Sequence, residues 1–326
     1  MTNTNQVTLL IWSINRHQVL KKQLLSYSDR PLNLIFVDGS DEKWDLGDEG
    51  VTGKLSWEYL HRPGKSIKHR WIEGVQRVTT PFVIFGDDTD FVVLDSVFDG
   101  VTKLKLNNSS TFYRCTELHL RTLYSKTRKI SSRIRIPKIR RKLLTIENWN
   151  PKVKSDRYSK LWQVFRDNQQ GLYFYSLHST ELSRNYSKIM QSIDFDCIAP
   201  QFYEFYWVVF LILNAEEVKS NKIGRIKLQG ANSSNIERYR ALPVKEPDIS
   251  ALTEWVRSEF KFDNEIIREE VSRNLSEALV NSQIHLNYTK FRKNKAFILG
   301  RVLKTDKRVF DSIIKQYPSI IFLLDT

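Results

Sequence analysis

The stretch Pro81–Phe91, Pro-Phe-Val-Ile-Phe-Gly-Asp-Asp-Thr-Asp-Phe, constrains the fold more than any other. Phe82–Phe85 is apolar and rich in β-branched and aromatic residues, so it reads as a buried strand. It stops at Gly86 and is followed by Asp87, Asp88 and Asp90. Carboxylates this close repel one another unless a cation or protons intervene. Hard oxygen donors at this spacing suit Mg²⁺ or Mn²⁺, and strand ends are where open α/β sheets place their ligands. A solvated acidic turn closing a strand is the plainer alternative.

The preceding residues supply the rest of such a sheet. Val7–Ser13 reads as a strand, and a helix follows from Asn15-Arg16 to about Tyr27. Leu32–Val37 is a second strand ending in Asp38-Gly39-Ser40, and Leu55–Leu60 is a third. Lys65–Val78 is helical, with Ile67, Trp71, Val75 and Val78 three or four residues apart. Strand–helix alternation predicts a parallel sheet with right-handed crossovers. That topology brings Ser13, Asp38 and Asp87–Asp90 to one edge.

Later segments are more varied. Gly171–Ser176 is expected to be a strand, followed by His178 and a helix from about Thr180. Pro200–Val218 is expected to be a buried helix with Pro200 in its first turn. Glu204 stands there among Phe202, Tyr203, Phe205, Tyr206 and Trp207, and a carboxylate among aromatics is costly unless paired or functional. From Asp248 to about Gln316 the pattern is amphipathic and helical. The expected division is residues 1–235 as one α/β domain and 236–326 as a helical accessory region. A basic insertion at about 120–160 contains Lys126–Lys142, with nine basic residues and no acidic one. Such a run reads as a solvated loop or as a segment lying on an anionic surface.

The whole chain carries 51 Lys+Arg against 37 Asp+Glu, a net charge of +14, which favours anionic partners. Two cysteines among 326 residues fit a reducing cytoplasm better than a disulfide-stapled secreted protein. The start, Met-Thr-Asn-Thr-Asn-Gln, lacks the pattern of a signal peptide, and none is expected. Phe205–Leu213, the longest apolar run, is about half of what a bilayer requires.

In order and separation, Ser13-Ile14-Asn15-Arg16, Asp38-Gly39-Ser40 and Asp88-Thr89-Asp90 resemble the inverting GT-A glycosyltransferases of family 2. Tyr175-Ser176-Leu177-His178-Ser179-Thr180-Glu181 resembles a stretch of a bacterial surface-polysaccharide subgroup, whose acidic motif reads Asp-Asp-Asp-Phe. The likeness covers roughly residues 5–235. It implies a Rossmann-like nucleotide-sugar-binding domain that moves a sugar from a nucleoside diphosphate to an acceptor hydroxyl. By resemblance, Ser13, Asn15 and Arg16 line the nucleoside pocket and Asp38 meets the base. Asp87, Asp88 and Lys68 belong to the donor site, with Lys65 and Arg70 as further charge near it. Asp88 and Asp90 would hold Mn²⁺ or Mg²⁺ against the diphosphate.

An inverting transfer needs a base, for which Glu204 is the candidate and Asp194 and Asp196 are rivals. His178 reads as a packing residue. The resemblance further implies a glycan or lipid-linked acceptor and a cytoplasmic location, with peripheral attachment at the inner membrane face through Lys126–Lys142. The departures are a shortened Asp-Gly-Ser and Thr89 in place of a central Asp. The Gln-x-x-Arg-Trp motif of processive members is missing, which favours single-sugar addition. The alternative is a non-catalytic basic module for nucleic acid or anionic glycan, with nucleic acid disfavoured by the Asp-x-Asp. The Gly86-Asp87-Asp88 turn of a polymerase palm lacks room upstream for its partner aspartate and fingers. An aspartate-loop phosphatase would need Asp where Phe36 stands.

Overall fold

The computed structural model describes residues 6–45, 55–88, 90–107, 111–124, 142–149, 160–161, 163–164, 170–192, 200–229 and 315. The N-terminal strands are β1 (Val7–Ser13), β2 (Asn33–Asp38), β3 (Ser56–His61) and β4 (Phe82–Asp87), pairing in parallel in the order β3-β2-β1-β4. Between them run α1 (His17–Tyr27) and α2 (Ile67–Arg77). Alternation along the strands separates two cores. Leu9, Ile11, Leu34, Phe36 and Ile84 face Leu20 and Leu24 of α1, whereas Leu10, Ile35, Val37, Val83 and Phe85 face Trp71 and Val75 of α2. Helices therefore cover both faces of the sheet, as the alternation predicts.

Ser66 caps α2 by accepting a hydrogen bond from the His69 amide at 3.3 Å. Gly74 lets this helix approach the sheet, since a Cβ there would come within 2.9 Å of Leu10 Cδ1. Trp71 stacks on Trp12 at 4.6 Å between ring centres and meets Phe85 edge-on at 4.7 Å. Trp207 meets Phe85 at 5.2 Å and so joins the C-terminal elements to the same aromatic cluster.

The second half of the sheet is mixed. From β4 the chain turns at Asp88 into β5 (Asp90–Val92) and then α3 (Leu94–Lys105). The long β6 (Thr111–Tyr124) follows, then β7 (Lys142–Trp149), α4 (Gln170–Phe174), β8 (Leu177–Ser179), α5 (Thr180–Ser192), α6 (Pro200–Asn214) and β9 (Glu216–Gln229). β8 joins β4 to β6 in antiparallel fashion, β9 runs parallel to β6, and β5 closes that edge antiparallel to β9. β7 pairs antiparallel with β6, Tyr124 opposite Lys142.

Two sequence expectations are corrected. Gly171–Ser176 is not a strand: residues to Phe174 form α4, and the strand starts at Leu177. The Tyr175 amide donates to Gly171 O at 3.2 Å and Ser176 Oγ to Tyr173 O at 2.6 Å, closing the helical turn. This turn buries Tyr173 and Phe174, and pairing with β4 and β6 begins only after it. The second correction concerns Pro200–Val218, where the helix ends at Asn214 and Val218 lies in β9. There the Asn214 side chain donates to Phe210 O at 2.9 Å, and the two glutamates that follow start the pairing with β6. Residues 126–141 of the basic run, Asp194, Asp196, and all of 236–326 except Lys315 lie outside the described residues.

His178 on β8 is fully buried, 4.7 Å from the Phe85 ring and 4.6 Å from Trp207. Its Nδ1 lies 2.8 Å from Ser176 O and its Nε2 2.6 Å from Ser183 Oγ. Burial pushes its pKa down to about 3, so the folded protein holds it neutral. The unfolded chain binds that proton near the ordinary value of 6.5, so this stability is complete above it and lost as pH falls. Between pH 6 and pH 4, denaturant unfolding should show wild type losing up to about 1.4 kcal/mol more per pH unit than His178→Gln. Parallel pH profiles would contradict a neutral buried imidazole.

Candidate functional site at the strand ends

Register brings the polar strand ends together. Ser13 pairs with Asp38, and Trp12 with Asp87, so all three tips lie at the carboxyl edge of the parallel strands. Asn15, at φ 56°, turns the chain from β1 into α1 in the left-handed region that Asn tolerates. Its amide then donates to Ser40 Oγ at 2.6 Å. The Gly39 amide and Arg70 Nη1 both donate to Ser13 O, at 2.9 and 3.0 Å. A Cβ at position 39 would sit 2.5 Å from Arg70 Nη1, so a larger residue there would displace this guanidinium. Lys68, also buried, lies one helical turn or less from Arg70 in the first turn of α2.

Asp38 is completely buried. Oδ1 accepts from the Ser40 amide at 3.0 Å and from its hydroxyl at 2.5 Å. Oδ2 accepts from Tyr59 at 2.6 Å and contacts His17 Nε2 at 2.9 Å. Burial, then the bond to Asp38, pushes the Tyr59 phenol well up, so it stays a donor. Around the pair stand rings that form an aromatic wall: Trp44 stacks on His17 at 6.2 Å, Tyr59 on His61 at 6.4 Å, and Trp44 meets Tyr59 edge-on at 5.8 Å.

The acidic turn is held differently. Asp88 is 5% exposed and takes Ser13 Oγ at 2.9 Å and Arg16 Nη1 at 3.2 Å. Burial and the charge of Asp87 push its carboxyl well up, while Arg16 and Ser13 oppose them. Gln23 of α1, fully buried, donates to the main-chain carbonyls of Asp88 and Asp90 and fixes the turn. Asp90 is 3% exposed and ion-paired to Arg225 of β9. Arg225 also meets Glu117 of β6 at 2.5 Å and lies 3.2 Å over the Tyr175 ring. Burial works against its charge, but Asp90 and Glu117 outweigh it and hold the guanidinium above its ordinary pKa.

Glu204 of α6 is half-buried. Tyr175 is pushed up by burial and by the charge of Asp87, and then by those of Glu204 and Asp90, with Arg225 opposing. The same buried phenol therefore feels the charges of Glu204 and of the acidic turn. The structure thus gathers Ser13, Asn15, Arg16, Asp38, Lys68, Asp87, Asp88 and Asp90 at one edge, while Glu204 is carried separately on α6. Gln23, Tyr59, Glu117 and Arg225 carry no local mark in the sequence, and Tyr175 is marked there only as the start of the Tyr175–Glu181 stretch. Arg225 sits in a charge-rich segment and is marked as inward-facing only by the pairing of β9 with β5 and β6.

For a divalent cation the donor set fits in kind, with three carboxylates at a strand end. As they stand, Asp88 and Asp90 face Arg16 and Arg225, and among the described residues no three His, Cys, Asp or Glu side chains converge as metal ligands. Among those residues, too, no helix is long and apolar enough to cross a membrane.

No protein-family model matches the chain, and no curated protein matches it in sequence. Solved structures do match in fold. S. aureus TarS 1–349 in complex with UDP-GlcNAc aligns over 96% of this chain and 80% of that one, with TM-score 0.50 and 12% identity. A second structure of TarS 1–349 gives TM-score 0.49 and 10% identity over 98% of this chain and 83% of that one. The mannosyltransferase PcManGT from Pyrobaculum calidifontis, in complex with GDP-Man and Mn²⁺, gives 0.44 and 10% over 97% and 88%. The expected α/β architecture is the one found, and the chain is similar in fold to TarS.

Replacing Asp38 by Ala removes the shared acceptor of Tyr59, Ser40 and His17, and should cost about 3 kcal/mol in urea unfolding. Tyr59→Phe removes one donor and should cost about 1 kcal/mol. Equal losses would contradict Asp38 as the hub.

Proposed function

We propose that the chain is a glycosyltransferase that moves a sugar from a nucleoside-diphosphate sugar to an acceptor hydroxyl, with inversion. One observation carries this reading: Ser13–Arg16, Asp38–Ser40 and Asp87–Asp90 meet at the carboxyl edge of parallel strands, where open α/β sheets bind nucleotides. Support comes from the fold shared with TarS 1–349, a protein solved with UDP-GlcNAc.

In this reading the nucleobase lies against the aromatic wall beside Asp38. Arg16 and Lys68 face the diphosphate, whose negative charge grows as the glycosidic oxygen departs. Asp88 and Asp90 are the carboxylates to hold Mn²⁺ or Mg²⁺, and such an ion, when bound, supplies further positive charge to the leaving group. Glu204 accepts the proton of the acceptor hydroxyl as that oxygen bonds the anomeric carbon and the bond to the diphosphate breaks. Its place on α6, with a charge that reaches the buried Tyr175 phenol, supports this role. The proposed setting is bacterial surface-polysaccharide or lipopolysaccharide synthesis, by single-sugar addition to a glycan or lipid-linked acceptor at the inner membrane face.

Thermal unfolding with UDP, GDP, CDP and dTDP, with and without Mn²⁺, tests the donor site. One nucleotide should raise the melting temperature of wild type, because it binds only the folded state. No shift with any nucleotide would overturn the reading. Transfer should be lost in Asp90→Asn, whereas a purely binding module would keep its ligand affinity. Glu204→Gln should lower kcat by about 10²-fold or more while leaving nucleotide affinity unchanged. A normal kcat would return the role of base to another carboxylate. Liposomes containing anionic lipid should sediment the full chain and fail to sediment a form lacking Lys126–Lys142. Equal sedimentation would remove the membrane role of that run.

A further inference from the structure

A carboxylate meant for a divalent cation is expected to be reachable by it, yet Asp90 already has a positive partner. β9 explains how. In the antiparallel pairing with β5, Lys227 stands opposite Asp90 and Arg225 opposite Val92, so Arg225 is the diagonal same-face neighbour of Asp90. In the parallel pairing with β6, the same Arg225 stands opposite Glu117. One guanidinium thus serves two buried carboxylates from adjacent strands, and Tyr175 covers its face at 3.2 Å. Arg225 is 3% exposed and Glu117 5%, so water screens this triad little.

We propose that Arg225 is the resident counter-ion of Asp90 and sets the affinity of the acidic strand end for a divalent cation. An ion gains Asp90 only as Arg225 gives it up, and Glu117 is where Arg225 retreats. Arg225 is therefore a positioning residue that tunes the site through Asp90. The inference rests on the transferase reading only in taking Asp88 and Asp90 as the metal-holding pair.

Isothermal titration of Mn²⁺ into the full chain, with no nucleotide present, tests this without any activity assay. Arg225→Gln removes the positive competitor at Asp90, so Mn²⁺ should bind about tenfold or more tighter than to wild type. Because that variant exposes buried carboxylates to loss of their partner and can fail to fold, Glu117→Gln provides the second arm. It keeps Arg225 but removes its alternative partner, so Arg225 serves Asp90 alone and Mn²⁺ should bind about threefold or more weaker. A purely structural role would lower the melting temperature without moving Mn²⁺ affinity in Glu117→Gln.

Unchanged Mn²⁺ affinity in Glu117→Gln, or tighter binding there, would overturn the proposal, as would the same affinity in all three proteins. Nucleotide-induced stabilisation, measured in parallel on wild type, separates the two readings. If a nucleoside diphosphate stabilises wild type while Mn²⁺ affinity ignores both substitutions, the counter-ion proposal falls alone. If Mn²⁺ affinity moves in opposite directions and no nucleotide binds, the counter-ion proposal stands and the transferase reading falls.

Discussion

Three buried carboxylates, Asp38 and Asp88 where parallel strands end and Asp90 where β5 begins, are the constraint to which the surrounding structure answers. A buried charge without partners costs several kcal/mol, and each of these is satisfied by a different device. Asp38 is surrounded by neutral donors, Ser40 and Tyr59, with His17 alongside. Asp88 has a hydroxyl and an arginine from the β1–α1 turn. Asp90 has Arg225, delivered by the last strand of the sheet. The donors come from β1, α1, β3 and β9, so the site and the sheet stabilise one another. Gln23 links the two kinds of element by holding the main chain of the acidic turn from within α1.

The aromatic cluster does the corresponding work behind the site. Trp12, Trp71, Phe85 and Trp207 join β1, β4, α2 and α6 through ring contacts. The helix that carries Glu204 is thereby fixed to the strand that ends in Asp87. Movement of α6 would disturb both, which couples the proposed base to the proposed donor site mechanically as well as electrostatically.

How much was legible in the sequence depended on how local each cause is. The parallel half was readable because apolar strands, an amphipathic helix and abrupt ends at Asp38-Gly39 and Gly86-Asp87 are written in neighbouring residues. Ser13, Asp38 and Asp87–Asp90 followed from topology, since parallel strands put their ends on one edge. The segment around Tyr173 misled, because an aromatic run bounded by Gly171 and Ser176 satisfies a strand pattern and a tight buried helical turn equally well. The end of α6 was misplaced because the helical reading ran on past Asn214 and two glutamates to Val218, whose backbone pairs with β6. Arg225 was invisible because its partners are about 110 to 135 residues away in sequence. In a segment rich in lysine and arginine, only long-range pairing distinguishes the one that turns inward.

In the proposed transferase the three strand ends act as one nucleotide site. Hydrogen–deuterium exchange with and without saturating UDP, GDP, CDP or dTDP measures this directly, because it reports which backbone amides a ligand protects. One of these nucleotides should slow exchange jointly in residues 13–17, 38–40 and 87–92. Protection confined to another part of the chain, or none with any of the four, would contradict it.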